Sequence, residues 1–490
     1  MHEYDVVVIG AGPAGLMAAA EVARAGHSVV ILERREKPSP LSRAFGVHAR
    51  TLEVLDQRAL ASELVTTGVT APGLRLLGKA EIDLTRLPSP FPCILVTPQS
   101  NVDGLLARHA LDRGVVIERG VQAIGVHQDN DTVRVAGRRP NGIEEWRGRY
   151  LIAADGVHSS VRRLTGQQFP GRSILRSVVL ADAHLDTPPQ SLITVNAVKD
   201  CFAFLAPFGD GKYRIITWDR HNQQEKDVPV DPDELRRVLH RAMGTDFGMK
   251  QVEWTSRFHC DERQMVSYRD GRVLFCGDAA HAHSPAGGQG MNTGIQDAVN
   301  LGWKLAAVLD GADGSLLDTY EAERHPVGRL VLRTSGAMIR AMVVRPMPLR
   351  LLRTALLRLI LLLRPTASKA ALTFSGIGIA YRRKRGEHPL TGTRSPDLPL
   401  ADGSRLFVSL RTGGFRLVLE SQNDTLVDVP VPVEVVRRAD KGPAMLVRPD
   451  GYIAWAGNSD TQEWVSVHRR WAPPGGVVHG NQPSPTERNS

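Results

Sequence analysis

The sequence predicts an α/β chain. Parallel strands and helices form one layer, an antiparallel sheet is inserted into it, and a small α/β unit follows. Three observations carry that prediction. Residues 4–33 place a β-branched run, a glycine turn, an Ala-rich helix and a second strand in succession, one βαβ unit. From about Ser173 to Arg263 the chain changes to successive strands with a single helical patch over Asp233–Met243. Beyond Arg394-Ser395-Pro396 the composition shifts again, and short strands at Phe415–Leu419, Val433–Val436, Ala444–Val447 and Ile453–Trp455 are separated by turns.

Length and charge bound the function. With 490 residues the chain has room for two to four domains, and 42% hydrophobic with 23% charged residues is ordinary for a globular protein. A net charge of +9 spread along the chain argues against nucleic acid as a partner, while leaving a mild attraction for anionic ligands. The four cysteines, Cys93, Cys201, Cys260 and Cys276, have neither zinc-knuckle nor redox-dithiol spacing and suit a reducing compartment. A strand begins almost at the first residue, so no signal peptide is expected and the expected location is cytoplasmic.

Within the first unit the glycines read GxGxxG. Gly10 makes the tight turn, Gly12 lets a diphosphate approach the backbone, and Gly15 lets helix and strand pack closely. Glu33 ends the second strand, where its carboxylate can bond ribose hydroxyls and disfavours a 2′-phosphate, so FAD or NAD is expected there. Residues 42–58 place Arg43 and Arg50 around a Gly46 turn, with Thr51 as the expected cap of a helix. Arg43 could face the cofactor or an incoming anionic nicotinamide dinucleotide. Residues 74–98 read as short strands broken by prolines. A helix follows over Asn101–Arg113, with Gln99 at its start, and a strand pair covers Val115–Ala123 and Val133–Ala136. At 151–163 an apolar strand ends in Asp155-Gly156, and Ser159 and Ser160 open a helix.

In the middle sheet Phe202, Phe204, Phe208 and Trp218 make one face aromatic. Most are expected in the core, with one or two lining a pocket for a planar substrate. The stretch Val273–Asp297 reads as strand, loop and helix start. Gly287, Gly288 and Gly290 expose backbone N–H groups, and Asp278 stands at the strand end. Helical spacing resumes after Asn292. His281 and His283 sit two apart in a loop with no acid nearby in sequence, which disfavours a metal. Residues 349–364 are apolar but carry Arg350, Arg353 and Arg358, too short and charged to span a membrane. The preferred reading is a helix docked on the protein or at a subunit contact, with its arginines in solvent; a basic membrane-surface helix is the alternative. Residues 473–490 are expected to be a disordered tail.

GAGPAG with Glu33, DGVHSSVR at Asp155–Arg162, and GDAAHAHSPAGGQGMNTGIQD at Gly277–Asp297 together resemble the FAD-dependent aromatic hydroxylases of the p-hydroxybenzoate hydroxylase type, in the three-domain branch acting on polyketides and phenols. SRAFGVHARTLEVL, YEAERHPVG and RPDGYIAWAG support the likeness, which covers nearly the whole chain. The resemblance implies a Rossmann-like (GR2-type) FAD-binding domain over residues 1–172 and 264–393, a substrate domain over 173–263 to which 74–98 contribute, and a thioredoxin-like domain over 394–472. That last domain has no cysteine, which excludes a thiol redox task.

It implies non-covalent FAD held by Gly10, Gly12, Pro13, Ala14, Gly15, Glu33, Arg34, Arg43, Gln99 and Val121. Asp155 and Gly156 would serve FAD packing and NADPH. Gly277 and Asp278 would lie on the ribityl and diphosphate side, with Pro285, Gly288, Gly290, Met291 and Asn292 against the ring. Arg43, His48 and Pro285 are the candidates beside the reacting ring, and Phe202, Phe204 and Trp218 those for substrate. One departure stands out: Val102-Asp103 replaces a frequent Thr-Glu pair. The implied reaction is NADPH reduction of FAD followed by oxygen transfer from a C4a-hydroperoxide to a polycyclic aromatic. Baeyer–Villiger insertion, inactivation of a rifamycin- or tetracycline-type antibiotic, and a non-catalytic flavin-binding role are the alternatives. A homodimer is one expectation for assembly, and no integral membrane association is expected.

Overall fold

The computed structural model describes residues 2–39, 44–76, 80–209, 211–420, 433–458 and 463–472. The expected tail at 473–490 and Arg43 lie outside the described residues.

A parallel layer forms because its strands are apolar on both faces. Val6–Ile9 and Val29–Leu32 are buried and pair in register, Val6 with Val29 and Val8 with Ile31. Strands run in the order Arg269–Asp270, Val273–Phe275, Gly142–Ala153, His2–Ile9, Val29–Glu33 and Val116–Arg119; the last five are mutually parallel. Gln122–Gln128 and Val133–Arg139 extend Gly142–Ala153 as an antiparallel meander, one strand more than the expected pair. The helix Pro13–Arg24 opens with proline in its first turn and buries Ala18, Ala19 and Ala20, small side chains that let the helix Gln289–Leu309 cross it closely. Thr51 is not a cap: the helix begins at Ala49 with His48 before it, and Thr51 is buried inside its first turn.

The second sheet, built mainly from residues 171–264, has eight strands, two of them Gly73–Leu76 and Ala80–Asp83. Alternation gives it two faces. Val179, Ala203, Leu205 and Ile215 pack under the helix Pro232–Met243, whereas Phe202, Ile216 and Trp218 turn toward Ile339 and Ala286 of the parallel layer's helices and loops. The chain is thus an α/β fold with a Rossmann-like nucleotide-binding region and a separate β-rich region.

The basic segment departs from expectation. It forms two helices, Met347–Leu362 and Arg364–Ser375, and the first has no buried residue. Many of its leucines face solvent together with Arg358: Leu351, Leu352, Leu356 and Leu359 are more than half exposed, while Arg353 turns inward and donates to the Ala341 carbonyl at 2.9 Å. Among the described residues no helix is long and apolar enough to cross a membrane.

The last sheet orders Glu434–Arg437, Arg416–Leu419, Ala444–Val447 and Ile453–Gly457, the first pair parallel and the rest antiparallel, with the helix Glu463–Trp471 closing it. Its hairpin at 448–452 plugs into the parallel layer. Arg448 donates to both oxygens of Glu323 at 2.6 and 2.9 Å, Asn300 donates to Asp450 at 3.2 Å, Arg50 donates to the Asp450 carbonyl at 2.8 Å, and Tyr452 stacks on Tyr381 with centroids 4.1 Å apart. The cysteines are free, three buried and Cys93 half-buried.

Candidate cofactor and active site

Motifs separated by more than 100 residues meet at the carboxyl ends of the parallel strands. A Cβ on Gly10 would stand 2.5 Å from the Ala154 carbonyl oxygen, and one on Gly15 would overlap the Gly10 carbonyl, so the glycine turn and the DG turn touch through backbone alone. Gly12 differs: a Cβ there meets nothing within 4 Å, so its backbone borders open space. Glu33 accepts the N–H groups of Ala11 and Arg35, each at 2.9 Å, which fixes its carboxylate beside the glycine turn. Arg34 next to it is exposed. Val121 donates its N–H to the Glu33 carbonyl at 3.0 Å, and its side chain is buried against Gly137, so any contact it makes with a ligand is through its backbone.

Asp155 caps the short helix Ser160–Leu164 through one oxygen, which accepts Ser160 N–H at 2.6 Å and Val161 N–H at 3.2 Å; its other oxygen is buried without a partner among the described residues. Arg162, which the sequence reading did not single out, joins this motif to the next. It donates to the Ala279 carbonyl at 2.8 Å and the Val157 carbonyl at 2.7 Å, over the Phe169 ring. Its spacing from Asp155 within DGVHSSVR was the available signal. Asp278 is exposed at the turn that follows Phe275.

The glycine loop is wound more tightly than its spacing suggested. Gly287 and Gly288 have φ of +87° and +62°, and the helix starts at Gln289, so Gly290, Met291 and Asn292 lie in its first turn, where free N–H groups favour an anion or a polarised ring edge. Asn292 ties this turn to residues 44–48: its Oδ1 accepts His48 N–H at 2.8 Å, and its Nδ2 donates to Gly46 and Gly288 carbonyls at 2.9 and 2.8 Å. Pro285 is exposed on the loop. Gln99 holds the other end of the 44–48 segment, exchanging hydrogen bonds with both backbone groups of Ala44 at 3.1 Å. One turn on, burial pushes the Asp103 carboxyl up to about 7.

His48 is buried, donates Nδ1–H to the Phe374 carbonyl at 2.8 Å and stacks on that ring at 4.8 Å. Burial pulls its pKa down to about 4, so it is neutral near pH 7, and its geometry is that of a positioning residue. His281 does have an acid partner, which the linear sequence hid: Asp297, one helical stretch later, accepts from Nε2 at 2.6 Å and binds Arg324 at 2.6 Å on its other oxygen. His283 lies against Gly290, where a Cβ would come within 3.1 Å of the ring. Among the described residues no group of three metal-capable side chains is present.

Beside the loop lies the aromatic face of the second sheet. Phe204 is half-buried and meets Phe45 at 5.3 Å, so residues from both regions share one wall. Phe202 and Trp218 do not share it. They stack on each other at 5.9 Å, Trp218 donates to the Arg176 carbonyl at 3.0 Å, and both are core. Arg214 was missed: fully buried, it pairs with both oxygens of Asp182 and lies over Phe208 at 3.9 Å and near Phe45 at 5.8 Å. Its place two before Ile216 on an alternating strand puts it on the Phe45 face.

The open backbone at Gly12, the partnerless Asp155 oxygen, the exposed Asp278 carboxylate and the helix start after Gly288 fit a flavin dinucleotide extended from the first helix to the loop. The family model described as "FAD binding domain" matches residues 3–335, and "Aromatic-ring hydroxylase, C-terminal" matches 388–474. The chain is 37% identical over 486 residues to a rifampicin monooxygenase of Streptomyces venezuelae, covering 96% of this chain and 98% of that one. The structure of the OxyS anhydrotetracycline hydroxylase from Streptomyces rimosus superposes with a TM-score of 0.84 at 36% identity, covering 96% and 99% of the two chains. That of the Diels-Alderase PyrE3, from pyrroindomycin biosynthesis, gives 0.83 at 31%, covering 96% and 100%. The chain therefore belongs to the FAD-dependent aromatic-ring hydroxylases, the class A flavoprotein monooxygenases that draw on NADPH.

Proposed function

We propose that this monooxygenase hydroxylates a polycyclic aromatic of the polyketide or phenol type. The observation that carries the reading is the wall shared by Phe45 and Phe204: the segment hydrogen-bonded to the glycine loop also faces the aromatic sheet, so a flat substrate can lie against both. When bound, FAD reduced by NADPH supplies an activated oxygen atom from O2. Gly12, Glu33, Arg43 and Gln99 would hold the cofactor, with Asp278 on its ribityl and diphosphate side and Gly288, Gly290 and Asn292 against its ring system. The protein's own part is to exclude water, orient the ring and stabilise negative charge. The helix start at Gln289 supplies N–H donors for that charge, and the buried Arg214 guanidinium, balanced by Asp182, lies behind the wall near Phe45.

The domain limits fit this reading: residues 1–172 and 264–393 bind FAD, 173–263 with 74–98 close the chamber, and 394–472 form a thioredoxin-like module. Its support is the strand order, with one parallel pair followed by two antiparallel ones. A second substrate reading, inactivation of an aromatic antibiotic, is favoured by the likeness to a rifampicin monooxygenase. NADPH consumption across a panel of polycyclic phenols and ansamycin or tetracycline drugs, with products identified by mass spectrometry, tests both. Retention of flavin without oxidation of NADPH on any of them would leave a binding role.

A further inference from the structure

We propose that the face around the helix Met347–Leu362 docks the enzyme on an anionic lipid bilayer. Leu349, Leu351, Leu352, Leu356, Leu359 and Leu362 are 51 to 78% exposed and lie on one side of this helix. At 100° per residue they span a continuous stripe, whereas Arg353, Leu357, Ile360 and Leu361 face the protein. Six leucines on one outward stripe are more apolar surface than a monomer ordinarily leaves in water.

Charge selects the occupant. Between Glu323 and Glu387 the sequence contains no Asp or Glu, while it carries fourteen Lys and Arg. At the start of the helix a cleft is lined by Lys199, Asp200, Arg345, Met347 and Arg350. Its single carboxylate, Asp200, already accepts from Arg220 at 3.0 Å and Arg345 at 3.2 Å, so the cleft is net positive. A phosphodiester headgroup suits the cleft, and the adjoining stripe suits the acyl boundary below it. A second copy of the chain would bring like charges together, because the segment offers no acid to meet its own arginines. Leu361, on the inner side, packs against the same hydrophobic cluster as Phe45 and Phe204, so a bilayer seated here would lie on the side of the protein that carries the aromatic wall.

The test is sedimentation of the FAD-loaded full chain with phosphatidylcholine vesicles, with and without phosphatidylglycerol. The expected result is binding to the anionic vesicles alone, weakened by salt. The combined substitutions Leu352→Ser, Leu356→Ser and Leu359→Ser should abolish binding with flavin absorbance and vesicle-free turnover unchanged. The pair Lys199→Glu and Arg345→Glu should weaken it by roughly tenfold or more. No binding at low salt overturns the proposal. So does binding that survives the serine variant, or a dimer in light scattering that the serine variant splits, because the stripe would then cover a second copy. Inorganic phosphate that competes fully while the leucines prove irrelevant would leave a simple anion cleft and also overturn it.

Discussion

Asp297 and His281 are both fully buried, and their 2.6 Å hydrogen bond joins the helix after the glycine loop back to the strand before it. The second oxygen of Asp297 binds Arg324, so one carboxylate holds a histidine and a guanidinium at once. Asp297→Asn keeps the shape but leaves Arg324 buried without a counter-charge, a loss on the order of 3 kcal/mol or more. Thermal melts of the FAD-loaded protein should show a drop of several degrees. An unchanged melting temperature would mean that the ion pair contributes nothing to holding the loop.

Gly12→Ala separates cofactor binding from folding. The new Cβ meets no protein atom within 4 Å, and Gly12 has φ of −84°, which alanine adopts freely. The apoprotein should melt as the parent does, while flavin titration by fluorescence quenching should show affinity reduced by roughly a hundredfold, because the Cβ fills the approach of the diphosphate. Equal FAD affinity would move the diphosphate away from this turn.

His48 should leave no mark on the pH profile of turnover near pH 6 to 7, since burial lowers its pKa to about 4. The sign for stability follows from the same shift. The unfolded chain protonates His48 below about 6.5 and the folded chain resists until about 4, so its contribution is complete above 6.5 and falls as the pH drops through that window. His48→Asn should keep the profile and weaken FAD binding by about tenfold. A lost limb in the profile would restore a proton-transfer role.

The aromatic residues should divide by burial. Phe204→Ala should raise KM for an aromatic substrate with little change in flavin content, since its half-exposed ring lines the shared wall. Trp218→Ala should instead cost about 3–5 kcal/mol of stability, because it empties a packed core position. Urea melts alongside steady-state kinetics distinguish the two outcomes.

Glu323 sets an acid limit for the C-terminal contact. Burial alone would raise its carboxyl, but Arg448 and Lys304 pull it down to about 2. The stabilisation is therefore complete above the ordinary glutamate range and is lost as pH falls from about 4.5 toward 2. Arg448→Met should weaken that acid dependence in calorimetric melts, leaving only the part due to Lys304.

The backbone scaffold was legible because its signals are local. The GxGxxG turn, the DG turn and the strand–loop–helix at Val273–Asp297 each announce themselves within thirty residues, and the structure joins them through Gly10, Ala154 and Arg162. What escaped the sequence was pairing at a distance. The partner of His281 lies sixteen residues away on the next helix, and Arg214 gains meaning only when its neighbour strand supplies Asp182. The leucine stripe was misassigned because periodicity reveals that a helix has an apolar face without revealing which way the face turns. Phe202 and Trp218 looked available for the same reason.

The hairpin at 448–452 reaches Arg50, Asn300 and Glu323, side chains that synthesis completes well over a hundred residues earlier. On the ribosome these groups wait without their partners until residues 448–452 emerge. A chain cut short before residue 448 would therefore strip Arg50, Asn300 and Glu323 of these partners and leave buried charge without its counterpart.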